Sequence, residues 1–411
     1  MIRHIVRASL LLIAALALQT EAVMAQPAAE AREQRAPVTI LISIDGFRPD
    51  YLHRGNSPAL DALAAGGRTG AMRPAFPSVT FPNHYTLVTG LYPDEHGIVA
   101  NTMEDARKPG VTFKLADQPL LDDPFWWDGA EPLWVTAEKQ GVRTATMFWP
   151  GSTAPIHGVR PSDWELYAKA MPSAQRIRAV IDWLRRPAAT RPRFLTLYFD
   201  EVDTAGHKFG PGAPETAEAV RSVDAAIGAL RDGLAELGQS ANLVIVADHG
   251  MAAVSDDRFT DLDKLLPRKT YRIVVSGPET GIAPMPGKEA RVAKALLGRH
   301  GHLECWAKAD IPPAFHYGRN PRVPPIVCLA DVGWKIGQGE AAWKSKGDHG
   351  YDPAAPDMAA LFLGNGPAFP KTGTVATFDN VNVYALLARL TGVTPLANDG
   401  DPKVLTDLLG E

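Results

Sequence analysis

Apolar positions along this chain follow two periods. Residues 38–44, 194–199 and 243–247 are nearly continuous apolar and β-branched runs, the pattern of strands covered on both faces. Between them, residues 174–184 and 217–237 repeat their apolar positions at helical spacing, as amphipathic helices do. Strands that alternate with helices predict an α/β fold, a mostly parallel central sheet flanked by helices.

Each strand run leads to a carboxylate. Asp45 follows the first, Asp203 lies just past the second, and Asp248 follows the third. Ligands of open parallel sheets bind beyond the carboxyl ends of the strands, so these chain-distant residues are expected to converge on one edge. Any one of them alone could be a turn former or helix cap. Their neighbours add imidazoles: His207 lies one helical turn after Asp203, and an Asp-His-Gly triplet occurs twice, with His249 and His349. Three Asp and three His are enough for two divalent cations, and the mixture of carboxylate and imidazole suits zinc.

A hydroxyl accompanies them. In TFPNHYTLVTG, Pro82 fits the first turn of a helix running through residues 83–88, and Gly90 fits its stop. Thr80 would then stand at a helix N-terminus, where unpaired N–H groups and the dipole favour a phosphate. A plain N-cap is the alternative reading.

Composition narrows the class. With 411 residues, 45% apolar and 21% charged, the chain can bury a large core. One catalytic domain over 38–411 is expected, with a cap or insertion at about 251–345, where Pro284, Pro286, Pro312, Pro313, Pro321, Pro324 and Pro325 interrupt the elements. One helix over 290–297 and one strand over 326–330 are expected there, with His300, His302 and His316 as surface or packing residues. A balance of 42 basic and 46 acidic residues, net charge −4, argues against stable nucleic-acid binding.

At the N-terminus, Arg3 and Arg7 precede an apolar run over 8–18, and Val23-Met24-Ala25 offers a cleavage site. This predicts a signal peptide over 1–25 and a flexible leader over 26–37, hence a periplasmic or secreted protein with no transmembrane anchor after cleavage. An uncleaved anchor is the alternative. Cys305 and Cys328 suit a disulfide in an exported protein, although two separately buried thiols would serve as well.

The strings TFPNHYTLVTGLYPDEHGIVAN, MFWPGS and FDNVNVYALLARLTGVTPLANDG, together with the Asp/His motifs, resemble the nucleotide pyrophosphatase/phosphodiesterase family of the alkaline phosphatase superfamily, over about residues 38–396. The resemblance implies an alkaline phosphatase-like fold and two Zn2+. Asp203, His207 and His349 would hold one ion; Asp45, Asp248 and His249 would hold the other, with Thr80 Oγ as a further ligand. Thr80 would be the nucleophile that carries a covalent nucleotide, releasing nucleoside 5'-monophosphates from nucleotide phosphodiesters and pyrophosphates. Asn101 and the Thr80 backbone N–H would face a phosphoryl oxygen, and Phe81 and Trp164 would sandwich the base. The chain departs from triphosphate-hydrolysing members at Val79 and Thr102, where they carry Lys, so simple nucleotide diesters are the more direct expectation. The alternatives are a phosphodiesterase for choline-type or lysophospholipid head groups and a non-catalytic, metal-containing binding protein.

Overall fold

Val38–Ile44 is buried along its whole length and lies in the middle of an eight-stranded sheet. Across the sheet the strands run Phe378–Asp379, Arg68–Arg73, Ala360–Asn365, Ala241–Val246, Val38–Ile44, Phe194–Phe199, Thr144–Met147 and Asp163–Glu165. Ala360–Asn365 runs against both of its neighbours, and the other pairings are parallel. A strand with no polar face needs cover on both sides. Pro58–Ala65, Ser173–Arg185 and Pro214–Leu237 pack together as one group of helices, and Thr80–Thr89, Leu133–Lys139 and Asn382–Thr391 as another. This is the mostly parallel, helix-flanked sheet expected of an alkaline phosphatase-like chain.

The computed structural model describes residues 35–339 and 344–411. The expected signal peptide, 1–25, and residues 26–34 of the expected leader lie outside the described residues. The third anticipated strand ends at Val246, so Asp248 stands two residues past the ladder. The backbone stays extended to that point because Ala247 N donates to Leu361 O at 3.0 Å.

After His249 the chain leaves the main sheet, and it returns at His349. In between, an antiparallel five-stranded sheet is ordered Tyr271–Val275, Glu279–Pro284, Ile326–Ala330, Leu303–Ala307, Gly298–His300. The expected strand appears at Ile326–Ala330 and the expected helix at Glu289–Leu296; the remaining four strands are additional. Val292 and Leu296 of that helix pack with Tyr271, Ile282 and the two cysteines in a separate apolar cluster. Cys305 and Cys328 face each other across neighbouring strands and form a disulfide.

Buried polar groups dock this segment on the main body. Asp94 accepts hydrogen bonds from the backbone N–H groups of Gly318, Arg319 and Asn320 at 2.7–3.1 Å. The buried Arg322 donates to Asp105 and to the carbonyls of Gly97, Trp126 and Phe125. Such a guanidinium is tolerated inside because each of its three nitrogens donates to an acceptor.

Glu279 has no such arrangement. It is buried, and neither carboxylate oxygen has a hydrogen-bond partner. Burial pushes its carboxyl up to about 8 from an ordinary 4.5. The folded protein therefore keeps a proton that the unfolded chain loses, and stability falls as pH rises from about 4.5 to about 8, then levels off. Glu279→Gln should remove that fall, raising stability by several kcal/mol near the upper end of the range and little near the lower end. Urea denaturation at both ends reads the effect; an equal gain at both would contradict a protonated buried carboxyl.

Candidate functional site

The expected ligands reach one sheet edge from separate elements. Asp45 directly follows Val38–Ile44, and Gly46 then turns with φ 68° at a place where a Cβ would stand 3.1 Å from Asp203 Cα. A side chain there would be both strained and crowded. Asp203 and His207 sit one turn apart on Glu201–Phe209. Asp248 and His249 follow Ala241–Val246, and at Gly250 a Cβ would lie 2.1 Å from Asp357 O. His349 follows the short strand Gly347–Asp348, whose pairing with Ala252–Ala253 joins the outgoing and returning ends of the inserted segment. That bridge brings the two Asp-His-Gly triplets side by side.

The distances define three overlapping groups, one of them made by Asp45, His84 and Asp248. His249 Nε2 lies 3.1 Å from Asp248 Oδ2 and 3.5 Å from Asp45 Oδ1. Asp203 Oδ1 lies 3.4 Å from His207 Nε2 and 3.6 Å from His349 Nε2. Ligand atoms of Asp203, His207 and His349 all fall within 4.8 Å of one another, as do those of Asp45, Asp203 and His249. The rings of His249 and His349 stack at 3.6 Å, so the groups share a wall.

Their chemistry fits divalent cations. The Nδ1 atoms of His207, His249 and His349 each lie 2.9 Å from a backbone carbonyl, those of Gly347, Gly250 and Ser78. A carbonyl can only accept, so Nδ1 carries the hydrogen and the Nε2 lone pair points at the carboxylates. Asp45 Oδ1, Asp203 Oδ1 and Asp248 Oδ2 are buried and make no hydrogen bond. Unpaired acceptors that face lone pairs in a buried site are costly unless a cation stands between them.

Proton affinities record the same conflict. Burial, reinforced by the charges of Asp248 and Asp203, pushes the Asp45 carboxyl well above its usual range. Burial likewise raises Asp203. Asp248 is also buried, yet the adjacent His249 and His84 hold it well below the ordinary value. Burial and then the charges of His249 and His207 hold His349 well below the usual imidazole range, so it is neutral, as a ligand needs to be.

Thr80 opens the helix Thr80–Thr89, with its Oγ1 3.4 Å from His249 Nε2. Asn83 fixes the turn before it: Nδ2 donates to the carbonyls of Ala75, Pro77 and Val79, and Oδ1 accepts from Ala75 N. Asn101 Oδ1 accepts the Phe81 N–H at 2.9 Å, which leaves Nδ2 as the end available to a ligand. Thr80, Phe81 and Asn101 line a cavity of about 660 Å³ together with Asp45, Asp203, His207 and His349. That size suits a small-molecule ligand.

Two neighbours of the ligands escaped the sequence reading. His84 places Nδ1 2.8 Å from Thr80 O and Nε2 2.8 Å from Ser43 Oγ, so both nitrogens are engaged within the protein. Its spacing of one helical turn from Thr80 was the available signal. The Tyr198 hydroxyl donates to Asp45 Oδ2 at 2.7 Å, from a strand whose uniform apolarity hid it.

Trp164, expected to sandwich the base with Phe81, is not among the residues lining the cavity. Side chains alternate along the edge strand Asp163–Glu165 and its extension, so Glu165 and Tyr167 face the cavity. Trp164 is 38% exposed, and the Arg160 guanidinium lies 5.8 Å from its ring. The cavity-facing aromatic of this segment is Tyr167, braced by Phe148 at 5.4 Å and Tyr198 at 6.0 Å.

Chelation should lower the melting temperature by roughly 2–4 °C for each kcal/mol of cation binding lost. In chelated protein Asp45→Asn should raise it, because one of the mutually repelling buried carboxylates is gone, while the recovery on adding zinc shrinks. Thermal melts with chelator and after zinc addition check both effects. A chelated Asp45→Asn protein less stable than chelated wild type would contradict the repulsion.

The sequence profile described as Type I phosphodiesterase / nucleotide pyrophosphatase matches residues 39–352. The chain is 38% identical over 393 residues to ectonucleotide pyrophosphatase/phosphodiesterase family member 1 of Mus musculus, a match that covers 92% of this chain and 43% of that protein. It thus spans less than half the length of that relative. It is also 38% identical over 368 residues to the bis(5'-adenosyl)-triphosphatase enpp4 of Xenopus laevis, covering 89% of this chain and 80% of that protein. Murine ectonucleotide pyrophosphatase/phosphodiesterase 5, solved as an inactive threonine-to-alanine variant in complex with AMP, matches with a TM-score of 0.87 and 34% identity over 91% of this chain and 100% of that one. Profile, relatives and solved structure agree with the site geometry that the chain belongs to the type I phosphodiesterase/nucleotide pyrophosphatase family.

Proposed function

We propose that this protein hydrolyses nucleotide phosphodiester and pyrophosphate bonds through a covalent intermediate on Thr80. The observation that carries this reading is the Thr80 hydroxyl at the start of its helix, 3.4 Å from His249 Nε2 and beside buried carboxylate oxygens that lack partners. Asp203, His207 and His349 would hold one zinc ion, and Asp45, Asp248 and His249 a second that Thr80 Oγ also meets. Bound there, zinc supplies Lewis acidity toward the Thr80 hydroxyl and the phosphoryl oxygens.

The residues of the chain do the rest. Thr80 Oγ1 attacks phosphorus, the bond to the leaving oxygen breaks in line, and the Thr80 proton departs with the leaving group. The nucleotide stays behind as a phosphodiester on Thr80. Water then cleaves the new ester, restoring the hydroxyl and releasing a nucleoside 5'-monophosphate. Asn101 Nδ2 and the Thr80 N–H face a non-bridging oxygen, where fixed donors stabilise developing charge without reorganising. His84 holds the Thr80 carbonyl and Tyr198 holds Asp45, so both sides of the reacting group are positioned. Phe81 and Tyr167 offer the base its stacking faces, worth about 1–3 kcal/mol per base.

The bound AMP of the murine structure and the name of the frog relative support nucleotide substrates. Export belongs to the same proposal: the leader pattern supports it, and the Cys305–Cys328 bond suits an oxidising compartment. Among the described residues no helix is long and apolar enough to cross a membrane.

On the p-nitrophenyl ester of thymidine 5'-monophosphate, Thr80→Ala should lower kcat by about four orders of magnitude while the zinc content is kept. Tyr167→Ala should raise KM for this ester about ten-fold but not for a p-nitrophenyl diester without a base. Steady-state kinetics on both substrates test the assignments; substantial turnover by Thr80→Ala would overturn the nucleophile.

A further inference from the structure

Phe81 packs against Phe113 and Trp127, with ring centroids 6.2 and 6.1 Å apart. Trp127 also gathers two further stretches of the cavity wall. Its indole Nε1 donates to Leu121 O at 2.9 Å, and Gly151 passes so close that a Cβ there would stand 2.7 Å from the ring. The wall beside Phe81 is therefore built from residues 115–121 and 150–153. The polar side chains that these two stretches give the cavity are Gln118 and Thr153.

Those two side chains join the stretches. Gln118 Nε2 donates to Asp122 Oδ1 at 2.7 Å and reaches Thr153 Oγ1 at 3.4 Å. A carboxylate accepts and does not donate, so Asp122 fixes which end of the amide is which. Gln118 Oε1 has no hydrogen-bond partner among the described residues, and the Thr153 hydroxyl, which accepts from Gln118, keeps its own hydrogen to give. Arg160 Nε steadies the loop by donating to Thr153 O at 2.7 Å. An otherwise apolar stretch of wall thus presents one acceptor beside one donor.

The group complementary to that pair is an exocyclic amino group next to a ring nitrogen. Adenine carries it as N6 and cytosine as N4, whereas hypoxanthine and uracil carry a carbonyl oxygen in its place. An oxygen set against Gln118 Oε1 brings two acceptors together, and an acceptor left unpaired costs more than the lost bond. We infer that Gln118 and Thr153 select the base, favouring nucleotides whose base edge bears an amino group over those with a carbonyl there. A nucleotide joined through phosphorus to Thr80 and stacked on the adjacent Phe81 turns that edge to the pair. The inference rests on the diesterase reading above and deepens it by naming the class of base. Asp122 is a positioning residue, acting through the amide of Gln118.

The test uses p-nitrophenyl esters of nucleoside 5'-monophosphates in two pairs, adenosine against inosine and cytidine against uridine, with the zinc-loaded protein. Within each pair an amino group is exchanged for a carbonyl. Each ratio of kcat/KM comes from one preparation, so any unfolded fraction cancels. The wild type should favour the amino base about ten-fold in both pairs, the size of one hydrogen bond with its penalty. Gln118→Leu, similar in volume, should bring both ratios close to one. Asp122→Asn should lower them part-way, because an amide at that place lets Gln118 turn over. Wild-type ratios near one, or ratios that either substitution leaves where they were, would overturn the inference. A wild-type protein that hydrolyses none of the four esters would instead overturn the diesterase reading beneath it.

Discussion

Three carboxylates with buried, unpaired oxygens share one sheet edge, and crowding them there costs stability that positive charge placed among them relieves. Among the described residues no lysine or arginine lies against Asp45, Asp203 or Asp248; the close partners are histidines. The Nδ1 hydrogens of His207, His249 and His349 are committed to backbone carbonyls on the far side, so in the neutral rings it is the Nε2 lone pairs that face the carboxylates. The arrangement makes physical sense as cation ligation, and its cost without cations falls on stability.

Much of the surrounding structure serves to hold those groups in place. Gly46 and Gly250 let the backbone pass where a side chain would collide. The bridge between Gly347–Asp348 and Ala252–Ala253 closes the inserted segment like a clasp, so the packing of a distant antiparallel sheet bears on the position of His349. The same histidine touches the turn before Thr80 through Ser78 O, and Ser78 Oγ in turn donates to Tyr351 O. Thr80 and His349 are thereby cross-braced, and preorganisation of this kind is what catalysis by positioning needs.

The sheet's centre and the clustering of Asp and His at its edge were legible from sequence for a common reason. Strands buried on both faces are apolar without interruption, and polar residues that break such runs at their ends stand out, as Asp45 and Asp248 do. Arg68–Arg73 and Ala360–Asn365 were not legible: the first is mostly polar and small, and the second has only four apolar residues before Gly364 and Asn365, so tertiary pairing outweighs their weak local signal. In the inserted segment, strands of three to six residues among prolines left only Ile326–Ala330 visible. Trp164 and Tyr167 differ by strand phase alone, and phase in an edge strand becomes known only when its partner is known. His84 was hidden because it acts through the backbone of Thr80 and lacks the spacing of a ligand motif.

We propose that the six Asp and His side chains form two adjoining cation sites beside Thr80. The most direct measurement is the metal content per chain of protein purified without chelator, by inductively coupled plasma mass spectrometry, for wild type, Thr80→Ala and His207→Ala. Two zinc equivalents are expected in wild type, close to two in Thr80→Ala, and about one fewer in His207→Ala, since each proposed ligand set would be nearly complete without Thr80. Wild-type protein that binds no divalent cation, even after dialysis against zinc, would contradict it.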